Sequence, residues 1–190
     1  MENIESNISV SDQSKEVKLY VVSPQKFTIL FLSTMGIYGL YWSYKNWSLY
    51  KSSCNAKVWP VVRGFFDIFF LHSLCDKLLS STESDSSSKK DSKLESHATT
   101  YVILTIVGRV FDQLSSEEIG LPFSYFVSIL LLPFTFKALY AIQAKANQLM
   151  GDNEGSANSK LTWANYVWIL VGILFWTLIG LGGLSMFIEL

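Results

Sequence analysis

Apolar and polar residues follow one another along this chain in long blocks. The opening MENIESNISVSDQSKEVK is polar and Ser-rich, and residues 1–22 read as a loose tail. Helix is expected after it, with Ser23 as N-cap and Pro24 at the first helical position, where a missing N–H costs nothing. Phe27 to Tyr44 is an 18-residue run without a charge. At ~1.5 Å per residue it reaches roughly 27 Å, close to the hydrocarbon thickness of a bilayer. Its exit, YWSYKNWSLYK, mixes Tyr41, Trp42, Tyr44, Trp47 and Tyr50 with Lys45 and Lys51, as an aromatic belt does at a headgroup layer. Gly36 and Gly39 offer the alternative of a re-entrant bend within the segment.

The second segment, Val58 to Leu79, is Phe-rich yet carries Arg63, Asp67 and His72. Arg63 and Asp67 are spaced to share one helical face, where pairing lowers the cost of burying either charge. The segment is expected either to span with its polar face turned inward or to lie at the interface. A Ser-rich, mixed-charge loop occupies 80–97. A third segment follows from about Ala98 to Leu114, with Arg109 and Asp112 near its far end. The acidic turn at Glu117 and Glu118 leads into Ile119 to Ile142, where Pro122 suits the helix start and Pro133 predicts a kink. After a polar loop, Trp163 to Ile188 supplies 26 residues without a charge, the clearest span in the chain. Gly172, Gly180 and Gly183 fall within an arc of about 80° on that helix, which predicts close approach of another backbone.

The pattern thus predicts an all-α fold, a polytopic transmembrane helical bundle. It has five membrane segments, or four if 58–79 lies on the surface, in a single domain over 23–190. Composition agrees: 49% of the 190 residues are hydrophobic and 16% charged, against about 25% charged in soluble domains. A net charge of −1 with no basic face excludes a nucleic-acid partner. Residues 1–22 lack the order of a signal peptide, so the first apolar segment is expected in the mature protein. Counting basic residues in short loops orients the chain. The five-segment reading puts Lys15, Lys18, Lys26, Lys77, Lys89, Lys90, Lys93, Lys137, Lys145 and Lys160 inside and Lys45, Lys51 and Lys57 outside. The four-segment reading puts Lys15, Lys18 and Lys26 outside instead. Both make the 80–97 and 143–162 loops cytoplasmic and the C-terminus external.

Phosphate-binding glycine loops, nucleophile elbows and zinc-spaced Cys/His patterns are absent from the sequence, so no cofactor, metal or enzymatic activity is expected. His72, Cys75 and Asp76 share part of a helix and form the nearest approach to a catalytic group. Hydrogen bonding between His72 and Asp76, with Cys75 packed as an apolar residue, accounts for them more simply. Arg63, Asp67, Arg109 and Asp112 are the stronger functional candidates, because ionisable groups within membrane segments are costly. Local pairing of Arg63 with Asp67 and of Arg109 with Asp112 is their structural explanation. Asn7 and Asn46 fit the glycosylation pattern, a common coincidence.

FLSTMGIYGLYWSYKNW, with SPQKF before it and WPVVRGFF after it, resembles small bacterial inner-membrane proteins whose signature is an apolar helix ending in GIYGLYW and a YKNW-like exit. The resemblance covers residues 23–66 and implies a cytoplasmic-membrane location, with no activity attached. Three functions stay open on the sequence. The preferred one is a noncatalytic membrane protein that binds the bilayer and other membrane components, proteins or copies of itself. The others are a small transporter or channel using the Arg and Asp groups, and a lipid-modifying enzyme centred on His72, Cys75 and Asp76.

Overall fold

The computed structural model describes residues 17–80 and 92–188, all helix, turn and loop without a strand among them. Asn7 and residues 81–91 of the expected Ser-rich loop lie outside the described residues. Residues 92–97, read as the rest of that loop, are instead the first turns of a helix.

Ser23 caps α1 (Pro24–Ser33), its Oγ accepting from Lys26 N at 3.3 Å, with Pro24 opening the first turn as expected. The expected 18-residue span does not form as one rod. α1 stops at Ser33, and α2 (Tyr38–Cys54) runs back from a four-residue turn. The reversal has a local cause. Met35 (φ 54) and Gly36 (φ 85) are both left-handed, and Gly36 N–H reaches the Phe31 carbonyl at 2.8 Å while Met35 N–H reaches that of Leu32 at 3.3 Å. This is the paired terminal bonding of a Schellman end, with Met35 in its left-handed position and Gly36, free of a Cβ, continuing the left-handed turn. The Thr34 hydroxyl then accepts Tyr38 N–H at 3.0 Å and starts α2. The bend left open by Gly36 is therefore the one adopted.

The second segment is also divided. α3 (Pro60–Phe65) lies across α2, where a Cβ on Gly64 would sit 2.7 Å from that of Tyr44. A one-residue break at Phe66 precedes α4 (Asp67–Ser80). Neither piece is long enough to cross a bilayer at ~1.5 Å per residue, so a five-segment bundle is not supported. α5 (Ser92–Ser116) and α6 (Phe123–Leu149) form a long antiparallel hairpin around the Glu117/Glu118 turn, and α7 (Trp163–Ile188) packs along α1 and meets the start of α6 at Tyr125 and Phe126. Pro133 lies inside α6, which continues through it. Among the described residues two helices, α6 and α7, are long and apolar enough to cross a membrane.

The core gathers at one end of the α5–α6 hairpin. Phe27, Leu30 and Phe31 of α1, Trp42 and Trp47 of α2, and Leu71, Leu74 and Leu78 of α4 close on Leu139 and Ile142 of α6. Phe27 stacks on Phe31 at 6.0 Å and meets Tyr38 edge-on at 5.6 Å. Residues 17–22, expected in a loose tail, are part of this core, with Leu19, Tyr20 and Val22 buried. The reason is a set of side-chain amides that receives their backbone. Asn46 Oδ1 accepts Tyr20 N–H at 3.1 Å, and Gln143 Nε2 donates to the Tyr20 carbonyl at 3.0 Å. Asn147 takes both polar groups of Val22, accepting its N–H at 3.3 Å and donating to its carbonyl at 2.9 Å. Asn158 donates to the Val21 carbonyl at 2.9 Å. Buried main chain is tolerated only when so paired. The Trp42 indole N–H donates to Gln143 Oε1, so the same amides tie α2 to α6.

Lys26 is buried in the same region, and its ammonium donates to Asn158 Oδ1 and the Lys160 carbonyl, both at 2.7 Å. The loop between α6 and α7 is thereby fastened to the start of α1. Along α7 only Gly172 and Gly183 are buried. Gly172 lies against the Ser33 carbonyl, with no room for a Cβ, and Gly183 packs on Tyr125 and Phe126. Trp176 Nε1 donates to the Leu32 carbonyl at 2.9 Å and Tyr125 to that of Ile179 at 2.5 Å. Gly180, expected on the packing face, has open space beside it. Gly172 and Gly183 lie about 20° apart around the helix and meet α1 and α6 respectively, whereas Gly180 is turned about 60° further round.

Candidate functional site

The α1–α2 tip and the α3–α4 bend stop partway along α5, α6 and α7, and a cavity of about 820 Å³ opens beside them. Its walls are mostly apolar, from Phe31 and Ile37 at the tip, Phe65 and Phe66 at the bend, Leu131 and Leu132 of α6, and Phe175 of α7. The polar groups come chiefly from one stripe of α5, Tyr101, Thr105, Arg109 and Asp112, together with Asp67 at the start of α4. Spacings of four, four and three residues keep that stripe on one helical face.

Asp67 is 5% exposed, and its Oδ2 accepts the Tyr101 hydroxyl at 2.7 Å. Burial pushes its carboxyl above the ordinary range, against the opposing pull of the Tyr101 bond, the Ile68 backbone N–H and the charge of Arg109. Gly39 permits this arrangement, since a Cβ there would lie 3.2 Å from the Tyr101 hydroxyl.

Arg63 does not pair with Asp67. The shared helical face required an unbroken helix, and the break at Phe66 removes it. The Arg63 guanidinium instead lies over the rings of Trp47 at 4.2 Å and Phe70 at 5.0 Å, held by its planar charge against aromatic faces. Arg109 and Asp112 do approach each other as expected, at 3.9 Å, with side chains 81% and 51% exposed. An exposed pair of that length contributes little. His72 does not bond Asp76. Its Nε2 lies 3.0 Å from Thr99 Oγ1 on α5, and Asp76 is exposed. Cys75 is buried, with its thiol pushed up to about 12 by desolvation and then by the charges of Asp76 and Glu95. Among the described residues no group of three His, Cys, Asp or Glu side chains could hold a metal ion. Asn46 is fully buried, so its glycosylation pattern is occupied by packing.

The site therefore unites three of the four candidate charges, Asp67, Arg109 and Asp112, and leaves Arg63, His72 and Asp76 elsewhere. Tyr101 and Thr105 were missed by the sequence reading, although their four-residue spacing with Arg109 was available in it. Chemically the arrangement offers a long apolar wall, one buried carboxylate and a polar stripe leading to it. No family model, curated protein or solved structure matches this chain.

Proposed function

We propose that the chain is an integral membrane protein that acts without catalysis, by holding an amphiphilic membrane component in the cavity beside the α1–α2 tip. The observation that carries this reading is the joining of a large apolar cavity to a single polar stripe on a molecule whose longest helices are clothed in exposed apolar side chains. On α7 alone, Leu170, Leu174, Leu178, Leu181 and Leu184 are all more than half exposed. Such a surface is tolerated in lipid and is an association hazard in water.

In this reading α6 and α7 cross the bilayer with α5 beside them. The α1–α2 hairpin enters from the lysine-bearing side and turns back, since ten residues of α1 rise about 15 Å, half of a ~30 Å hydrocarbon layer. Irregular backbone at that depth is acceptable because protein covers it. Lys45, Lys51 and Lys57, external in the five-segment count, then join Lys18, Lys26, Lys77, Lys93, Lys145 and Lys160 on one side. The opposite end carries Glu117 and Glu118. This asymmetry supports a cytoplasmic lysine side, and the resemblance of residues 23–66 supports a bacterial cytoplasmic membrane. A transport role is the weaker reading, because Arg63 is turned away from the cavity.

Labelling intact cells with a membrane-impermeant maleimide tests the topology. Ser116→Cys is expected to label and native Cys54 to remain unlabelled until the cells are opened. Labelling of Cys54 in intact cells refutes the hairpin arrangement.

A further inference from the structure

We infer that the cavity is selective for a cationic amphiphile, whose ammonium group is held by Asp67 and whose hydrocarbon lies along the aromatic and aliphatic wall. The inference rests on the reading of the cavity as a binding site for membrane components and adds the charge of the occupant.

Three charged side chains border the cavity. Arg109 and Asp112 are near each other and exposed, so they offset one another at its outer end. Asp67 is left over. Among the described residues its side-chain hydrogen-bond partner is a neutral phenol, and Arg63, the cation nearest to it in sequence, is committed to Trp47 and Phe70. The charge of Arg109 reaches Asp67 but is shared with Asp112, so the wall keeps one negative charge in excess, and a cation delivered into the cavity relieves the cost of burying it. Phe65 and Phe66 stand on the same wall and offer ring faces that attract ammonium groups. An anionic headgroup at that depth would meet the carboxylate instead, and a neutral one would leave it unpaired. The cavity volume falls within the range of roughly 300–1,000 Å³ found for small-ligand sites.

The test is thermal unfolding of the full-length protein, purified in a neutral maltoside detergent at pH 8, with submicellar octylammonium, octanoate or octyl glucoside. Octylammonium is expected to raise the unfolding midpoint and the other two to leave it in place. Asp67→Asn, folded in the absence of probe, is expected to bind octylammonium at least tenfold more weakly. Leu104→Trp, on the α5 wall of the cavity beside Thr105, narrows it without altering the carboxylate and is expected to weaken the shift, which keeps the test usable if Asp67→Asn fails to fold. Equal shifts from all three probes overturn the cation preference and leave the amphiphile site standing. No shift from any probe overturns both readings. A shift of undiminished size in both Leu104→Trp and Asp67→Asn overturns the assignment to this cavity.

Discussion

Replacing Asn147 with alanine is expected to detach the chain segment that threads through the core. Asn147 serves both the N–H and the carbonyl of Val22, a residue with no exposed surface, and its Oδ1 also accepts from Gln143 Nε2 at 2.6 Å. Alanine leaves the two Val22 groups buried and unpaired, at about 1–3 kcal/mol each. The combined loss is then about 2–6 kcal/mol, a large part of a typical stability of roughly 5–15 kcal/mol. Gln143 keeps its bond to the Tyr20 carbonyl, so part of the segment stays anchored in the single variant. Adding Gln143→Leu removes that anchor and the acceptor of the Trp42 indole, and the two effects are expected to be non-additive because the amides touch. Two assays on detergent-purified protein check this. One is the denaturant midpoint. The other is the trypsin sensitivity of the bonds after Lys18 and Lys26, which are expected to open in Asn147→Ala while wild type resists at the buried Lys26. A loss below about 1 kcal/mol, with unchanged cleavage at Lys26, refutes the view that these amides hold the segment in place.

Gly172→Leu is expected to disrupt packing against the Ser33 carbonyl and lower stability severely, whereas Gly180→Leu, facing open space, is expected to change it by less than about 0.5 kcal/mol. Comparing their unfolding midpoints decides whether all three glycines share a packing role. Native protein treated with maleimide in detergent is expected to take up one label, at Cys54, and a second only after denaturation, because the Cys75 thiol is buried and pushed up to about 12. Mass spectrometry reads that stoichiometry directly. Because burial raises the Asp67 carboxyl, the folded protein binds this proton more tightly than the unfolded chain. The stabilisation from this group is expected to be full below the ordinary carboxylate range and to be lost as pH rises through the raised value. Unfolding midpoints across that window should flatten in Asp67→Asn, and an unchanged slope counts against the assignment.

The sequence by itself determined the helical class, the N-cap at Ser23, the identity of α7 and most of α6, and three of the polar residues bordering the cavity, Asp67, Arg109 and Asp112. Those features depend on short-range rules: an uninterrupted apolar run, a capping residue, a spacing of three or four. What only the tertiary structure decided was whether such runs continue. Phe27 to Tyr44 has the length of a span, yet Thr34, Met35 and Gly36 close a turn within it, and the return is stabilised by the contact of Gly39 with Tyr101 and Leu139, far along the chain. The expected Arg63–Asp67 pair failed for a related reason. Four-residue spacing gives a shared face only inside an unbroken helix, and once Phe66 interrupts it, Trp47 and Tyr101 offer each group a separate partner. Residues 17–22 read as a tail because they follow a long polar stretch and precede the Ser23 cap, although VKLYVV is itself mostly apolar. Their place in the core is set by Asn46, Gln143 and Asn147, which can satisfy a neighbouring main chain only after α2 and α6 have come together.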